Sequence, residues 1–150
     1  IVITNTPNKE RELKYLSKNS HWNNIMLDKK HNDVVKTISK CKTYFSTMWN
    51  ETWGITALEA LSNGVPIILN SKNNSHASTD LCSSNRHYAL VSDGVQLASA
   101  IDSFENIDRK EIQDATWDKH SYEKWKISFI NAIDRTIEKY KKPNLSVFMT

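Results

Sequence analysis

Two acidic residues, Glu51 and Glu59, bracket a short turn, with seven residues between them. Gly54 lies in that turn, and apolar residues with helical spacing follow from Ile55 onward. The first N–H groups of a helix have no intrahelical partners and lie at its positive end, where they bind phosphates and other anions. Gly54 lets the backbone approach a ligand closely, and Thr56 adds a hydroxyl to the first helical turn. The spacing therefore predicts an anion-binding turn flanked by two carboxylates.

Glu59 has an unusual position on the helix that follows this turn. At ~100° per residue it lies about 40° from Ile55, at the border of the apolar stripe that Ile55 forms with Leu58 and Leu61. The residues three and four positions away on either side are Ile55, Thr56, Ser62 and Asn63. None of them is cationic, so the usual salt bridge of a helical glutamate has no partner on the helix. A semi-buried carboxylate of this kind needs hydrogen-bond donors, and vicinal sugar hydroxyls are one source. From spacing alone, a structural role stays equally open.

The other chemistry-bearing residues form no known motif. The chain lacks the glycine-rich dinucleotide and phosphate loops, the H-E-x-x-H zinc motif and the G-x-S-x-G nucleophile elbow. Its five histidines have no metal-ligand spacing, so no metal site is predicted. Cys41 and Cys82 are the only cysteines, and we interpret both as reduced core residues. The net charge of +3 does not indicate a nucleic acid or an anionic membrane as a partner.

Short apolar runs and helical spacings alternate along the chain, and these elements must position the two glutamates. Strands are predicted at residues 1–5, 24–28, 42–47, 65–70 and 87–92. Helices are predicted at residues 10–16, 31–41, 55–62 and 95–104, and an amphipathic helix of about twenty residues starts at Tyr122. Residues 71–86, rich in Ser and Asn, are predicted to form a long loop. The alternation predicts an α/β fold: a doubly wound, Rossmann-like parallel sheet with a long C-terminal helix. Ligands bind outside the carboxyl ends of the strands of such a sheet, which is where the Glu51 turn falls.

The stretch from Trp49 to Ile68 resembles the E-x-x-x-x-x-x-x-E motif of the retaining GT-B glycosyltransferases of the group 1 family. The matching residues are Glu51, Trp53, Gly54, Ile55, Glu59, Ala60, Leu61, Gly64, Pro66, Ile67 and Ile68. Weaker similarity extends over residues 1–140. The resemblance implies that residues 1–150 are a single nucleotide-sugar-binding domain of a two-domain enzyme. The N-terminal acceptor domain of the same enzyme would then be missing, and the isolated fragment would be inactive.

The resemblance also implies a role for each matching residue of the turn. Glu51 would be the catalytic residue, lying beside the donor sugar and helping to stabilise developing positive charge. Glu59 would bind the ribose hydroxyls, and the loop at residues 27–30 would lie near the base. The donor-binding backbone N–H groups would be those of Trp53, Gly54, Ile55 and Thr56.

The implied reaction transfers a sugar from a nucleoside diphosphate sugar, of the UDP- or GDP-sugar type, to an acceptor with retention of anomeric configuration. No cofactor and no obligatory metal are implied, because protein donors and the helix dipole would neutralise the leaving group. The chain has no D-x-D metal motif, which agrees. Two features depart from the family pattern. The Arg and Lys that hold the diphosphate in the family would precede residues 1–5, and residues 71–76 replace a Gly-rich segment.

A second reading of the motif stays open, namely a non-catalytic nucleotide-sugar-binding or interaction module. A dehydrogenase-like or receiver-like α/β domain is disfavoured by the missing glycine fingerprint.

A glycosylation sequon at residues 50–52 lies inside the predicted site, where a glycan would block binding, which favours a cytoplasmic protein. No apolar stretch approaches the ~20 residues that a membrane span needs, so a membrane is not indicated as a partner.

Overall fold

The computed structural model describes residues 2–4, 25–27, 29–46, 54–72 and 79–141, together with the helical residues Arg11, Lys14 and Lys18. The strands in these ranges are β1 (Val2–Thr4), β2 (Ile25–Leu27), β3 (Tyr44–Ser46), β4 (Ile67–Asn70) and β5 (Tyr88–Val91). The helices are α1 (His31–Ile38), α2 (Ile55–Ser62), α3 (Gly94–Ser103), α4 (Arg109–His120) and α5 (Tyr122–Lys141), with a 3-10 turn at Asn85–His87.

The predicted alternation of strands and helices is confirmed in the described ranges. Each predicted segment contains a strand. Among the described residues, β3 and β4 each begin two residues later than predicted, and β5 is one residue shorter at each end. The α2 helix has the predicted bounds, and α5 is the predicted long C-terminal helix. The α1 helix ends at Ile38, three residues earlier than its apolar spacing predicts. The helix predicted at residues 10–16 lies mostly outside the described residues.

All described strand pairings are parallel. β3, β4 and β5 form a three-stranded sheet with β4 in the centre, where Tyr44 lies opposite Ile67 and Ile67 opposite Tyr88. β1 pairs with β2 in a separate two-stranded sheet. The parallel α/β architecture is therefore confirmed, but the described pairings form two sheets where we expected one sheet of five strands. The doubly wound arrangement of a single sheet stays a prediction.

The central strand β4 carries the core on both of its faces. Ile67, Ile68 and Leu69 are each at most 2% exposed. Successive side chains of a strand point to opposite faces, so Ile67 and Leu69 join a cluster with Leu61 and Ile112, whereas Ile68 joins Ala100 and Phe104. The three-stranded sheet thus has α2 and α4 on one face and α3 on the other. This is the burial expected for a strand with an uninterrupted apolar run.

Helix α4 has no counterpart among the sequence predictions. Only Ile112 and Thr116 are fully buried on it, so its apolar pattern is too sparse to indicate a helix. A start signal is present nevertheless, because the Asp108 carboxylate accepts hydrogen bonds from the N–H groups of Lys110 and Glu111. An acidic N-cap followed three residues later by Glu is a capping-box spacing.

The loop predicted at residues 71–86 is confirmed only in part. Residues 71–72 form a turn, residues 79–80 are helical and Asn85–His87 form the 3-10 turn. Residues 73–78 lie outside the described part of the chain.

The side chains of α5 from Tyr122 to Tyr140 are exposed, including those of its apolar face. The Trp125 ring stacks on Tyr122 and on Phe129, with centroid distances of 5.9 and 5.2 Å. None of the helices in the described ranges has both the length and the apolar composition needed to cross a bilayer.

Candidate functional site

The N-terminal end of α2 is built around Gly54. This residue is buried and has φ 58° and ψ 48°, the left-handed region that residues with side chains rarely adopt. Its carbonyl accepts the first helical bond, from Leu58 N–H at 2.9 Å, and it has no side chain that could cap the helix. The N–H groups of the first turn therefore point beyond the helix end without an intrahelical acceptor. Because β3 and β4 are parallel and α2 connects them, this end of α2 lies at the carboxyl edge of the sheet.

Glu59 lies one turn further along α2, and its side chain is 20% exposed. Its Oε1 lies 3.1 Å from Nε2 of His31, whose side chain is 69% exposed. His31 is the first residue of α1. The sequence correctly predicts that Glu59 has no cationic partner on its own helix, but the tertiary structure supplies a partner from another one.

The pair lies in a groove of about 550 Å³ between α1 and α2. The residues that line this groove are His31, Asn32, Val35, Lys36, Ile55, Leu58, Glu59, Ser62, Asn63 and Trp117. Its walls are mostly apolar. His31 lies at the start of α1, Glu59 in the second turn of α2, and Trp117 of α4 beside the end of α2. A groove with apolar walls and a few placed polar groups is the usual form of a site for a small organic ligand.

The C-terminal end of α2 has a complete backbone cap. Gly64 N–H donates to Leu61 O and Val65 N–H donates to Ala60 O, both at 2.9 Å, which is a Schellman motif. Gly64 has φ 71°, and a Cβ on it would lie 2.3 Å from the Arg109 carbonyl oxygen. The helix end predicted at residue 62 is confirmed, and the structure gives two reasons for glycine at position 64, its positive φ and its close packing against α4.

Three side chains of α4 connect it to the two helices that form the groove. They donate to carbonyls at the ends of α1 and α2. The bonds run from Arg109 Nε to Gly64 O (3.1 Å), from Arg109 Nη2 to Ser39 O (2.7 Å) and Asn63 O (3.2 Å), and from Gln113 Nε2 and Trp117 Nε1 to Ser62 O (3.1 and 3.2 Å). The relative position of α1 and α2, and with it the His31–Glu59 contact, therefore depends on a helix that the apolar pattern does not reveal.

Of the predicted site residues, the structure brings Gly54, Ile55, Thr56 and Glu59 together along the first turns of α2. Glu51 and Trp53 lie outside the described residues, so their geometry stays a prediction. His31 was not predicted. Its signal in the sequence is its place just after a short apolar strand at the start of a helical pattern, because such positions meet at the carboxyl edge of a parallel sheet.

The cysteines offer no nucleophile at this site. Burial raises the pKa of the Cys82 thiol to about 12, with a smaller opposing effect from the charge of Lys119. Cys41 is half-buried, and its Sγ donates to Thr37 O at 3.3 Å. Within the described ranges, no group of His, Cys, Asp and Glu side chains has an arrangement that could hold a metal ion.

The fold and the site define a class of protein: a parallel α/β domain with an open groove between two helices that each follow the carboxyl end of a parallel strand, and with a carboxylate in that groove. Residues 1–116 match the family model of the glycosyl transferases group 1. The match covers most of the 150 residues, and the chain belongs to this glycosyltransferase family. No curated protein and no solved structure matches the chain. Membership implies transfer of a sugar from a nucleotide-sugar donor to an acceptor.

Proposed function

We propose that this chain is the donor-binding domain of a retaining glycosyltransferase that uses a nucleoside diphosphate sugar. The observation that carries the proposal is the position of Glu59. Its carboxylate is only 20% exposed, it lines the groove between α1 and α2, and its local neighbours on α2 are neutral. In a partly desolvated place a carboxylate binds hydroxyl donors more strongly than in water. The vicinal hydroxyls of a ribose are such donors.

The diphosphate would bind at the start of α2. The N–H groups of Ile55 and Thr56 lie in its first turn, and the helix dipole places partial positive charge there. Gly54, in its left-handed conformation, has no Cβ that would keep the phosphates at a distance. Trp53 would add its N–H to the same group of donors. These donors would stabilise the leaving nucleoside diphosphate without an obligatory metal.

Glu51 would act on the sugar and not on the nucleotide. Positive charge develops at the anomeric carbon as the bond to the diphosphate breaks, and a carboxylate beside it lowers the barrier. The acceptor would approach from the N-terminal domain of the same enzyme across the interdomain cleft. Transfer with retention then places the acceptor oxygen on the face that the leaving group vacates.

The test replaces each glutamate in the full-length protein that carries this chain. Glu51→Gln keeps the shape and removes the charge, so kcat should fall roughly 100-fold while the KM for the donor changes much less. Glu59→Ala should weaken binding of the nucleoside diphosphate by about 1–3 kcal/mol, the range for a hydrogen bond to a charged group. Glu138→Gln, on the exposed face of α5, is the matched control and should change neither quantity.

The outcomes separate catalysis from binding. Loss of nucleotide binding with intact turnover in Glu51→Gln would reverse the assignment of the two glutamates. Unchanged turnover in Glu51→Gln would remove the catalytic role of Glu51. Tight nucleotide binding by a parent protein that shows no turnover would support the non-catalytic module instead.

A further inference from the structure

The contact between His31 and Glu59 joins two helices at the mouth of the groove. His31 begins α1 and Glu59 lies in the second turn of α2, and Nε2 and Oε1 are 3.1 Å apart. In the described part of the chain, no other basic side chain lies within ion-pair distance of the Glu59 carboxylate. The imidazole is the exposed partner, and the glutamate side chain is the half-buried one.

A glutamate at this place has a flexible side chain that must be ordered before it can bind a ligand. Each side chain that is immobilised on binding costs conformational entropy, and this cost disappears if the free protein already holds the side chain in place. The contact of His31 with Oε1 orders the carboxylate, and among the described residues Oε2 has no hydrogen-bond partner that would compete with a ligand. Residues behind a binding group commonly orient it in this way.

We infer that His31 is a positioning residue that orients the Glu59 carboxylate toward the vicinal hydroxyls of a ribose, and so makes the groove prefer ribonucleotides over deoxyribonucleotides. The inference rests on the proposed role of Glu59 in nucleotide binding. His31 acts through Glu59 and needs no contact with the ligand of its own. Any loss of binding affinity on replacing His31 must therefore depend on both the Glu59 carboxylate and the ribose hydroxyls of the ligand.

The experiment measures binding to the full-length protein by calorimetry. The probes are uridine diphosphate and guanosine diphosphate, each compared with its 2′,3′-dideoxy form. We expect His31→Ala to weaken binding of the hydroxyl-bearing probe about fivefold, the upper effect of an exposed ion pair, and to leave binding of the dideoxy probe unchanged. His31→Gln should restore the parent affinity, because its amide N–H can reach the same carboxylate oxygen. Asp33→Asn, an exposed change in the first turn of α1 outside the groove lining, is the matched control and should have no effect.

Two results would overturn the inference. One is an equal loss for both forms of the probe, which would mean a direct contact or a structural role. The other is a further loss when His31→Ala is added to Glu59→Ala, since His31 would then act independently of the carboxylate. A melting temperature for each variant shows whether it is folded. If His31→Ala is not, His31→Leu takes its place, because it fills similar space without a hydrogen-bond donor.

The inference and the proposed function fail in different ways. If Glu59→Ala binds both probes as the parent does, the proposed role of Glu59 is wrong. If Glu59→Ala weakens binding and His31→Ala does not, only the role of His31 is wrong.

Discussion

The two ends of α2 differ in whether the protein supplies hydrogen-bond partners for their backbone groups. At the C-terminal end, the carbonyls of Ala60, Leu61, Ser62, Asn63 and Gly64 all accept hydrogen bonds, from the following backbone or from α4. At the N-terminal end, Gly54 has no side chain that could satisfy an N–H group of the first turn, and the groove along α2 begins there, at Ile55.

The difference shows where stability and where binding reside in this helix. A helix end without internal partners must be satisfied by side chains, water or a ligand. The fold itself supplies hydrogen-bond donors to the C-terminal carbonyls of α2, so this end of the helix has a fixed position. The other end can then present its donors in a fixed direction, which lowers the entropy lost when a ligand binds. Changes at the C-terminal end should therefore lower stability first, and changes at the N-terminal end should lower binding first.

The largest effect on stability is expected for Gly64→Ala. An alanine there must keep φ at 71°, at a cost of about 1–2 kcal/mol, and its Cβ would clash with the Arg109 backbone. Because backbone must move to make room, we expect the free energy of unfolding to fall by about 3 kcal/mol or more, measured by urea denaturation. Gly94→Ala is the matched control, since no atom lies within 4 Å of a Cβ there, and its free energy of unfolding should be unchanged or slightly higher. Equal effects of the two substitutions would contradict the close packing of α4 on α2.

A smaller effect is expected for Arg109→Ala. The substitution removes hydrogen bonds from Ser39, Asn63 and Gly64, which end two helices, and we expect a loss of about 2 kcal/mol in the free energy of unfolding. Binding of a nucleoside diphosphate should weaken as well, because α1 and α2 lose a shared anchor. Arg135→Ala provides the control, since Arg135 is exposed on α5 and donates to Asn131 O of its own helix. Equal melting temperatures of Arg109→Ala and Arg135→Ala would show that the hydrogen bonds of Arg109 do not stabilise the packing of α1 and α2.

The smallest effect on stability is expected for a change in the groove, at Glu59. Glu59→Ala removes a contact with a largely exposed histidine, so the free energy of unfolding should change by less than about 1 kcal/mol. The same variant should lose much of its affinity for a nucleoside diphosphate. If calorimetry and thermal melts show the reverse, with intact affinity and a large drop in melting temperature, Glu59 is a structural residue and the contrast between the two ends disappears.

Local patterns were enough to predict much of this fold and part of the site. The apolar run at residues 65–70 marks a strand buried on both faces, and the Asn63–Gly64 pair marks the end of α2, because both signals depend on neighbours in the chain. Helix α4 could not be predicted from apolar spacing, since it is held largely by polar bonds such as those of Arg109 and Gln113 to distant carbonyls. The polar donors of a helix are visible in a sequence, but their acceptors are not.

The sequence by itself determined the order of the strands and of the helices other than α4, the parallel α/β class, and the place of Gly54, Thr56 and Glu59 along the first turns of one helix. These features follow from residues close together in the chain, where backbone preference and side-chain period act directly. Only the tertiary structure decided that His31 meets Glu59 and that Arg109 joins the ends of α1 and α2. Such contacts link segments far apart in the chain, and their geometry is set by how the helices pack on the sheet and not by any local preference.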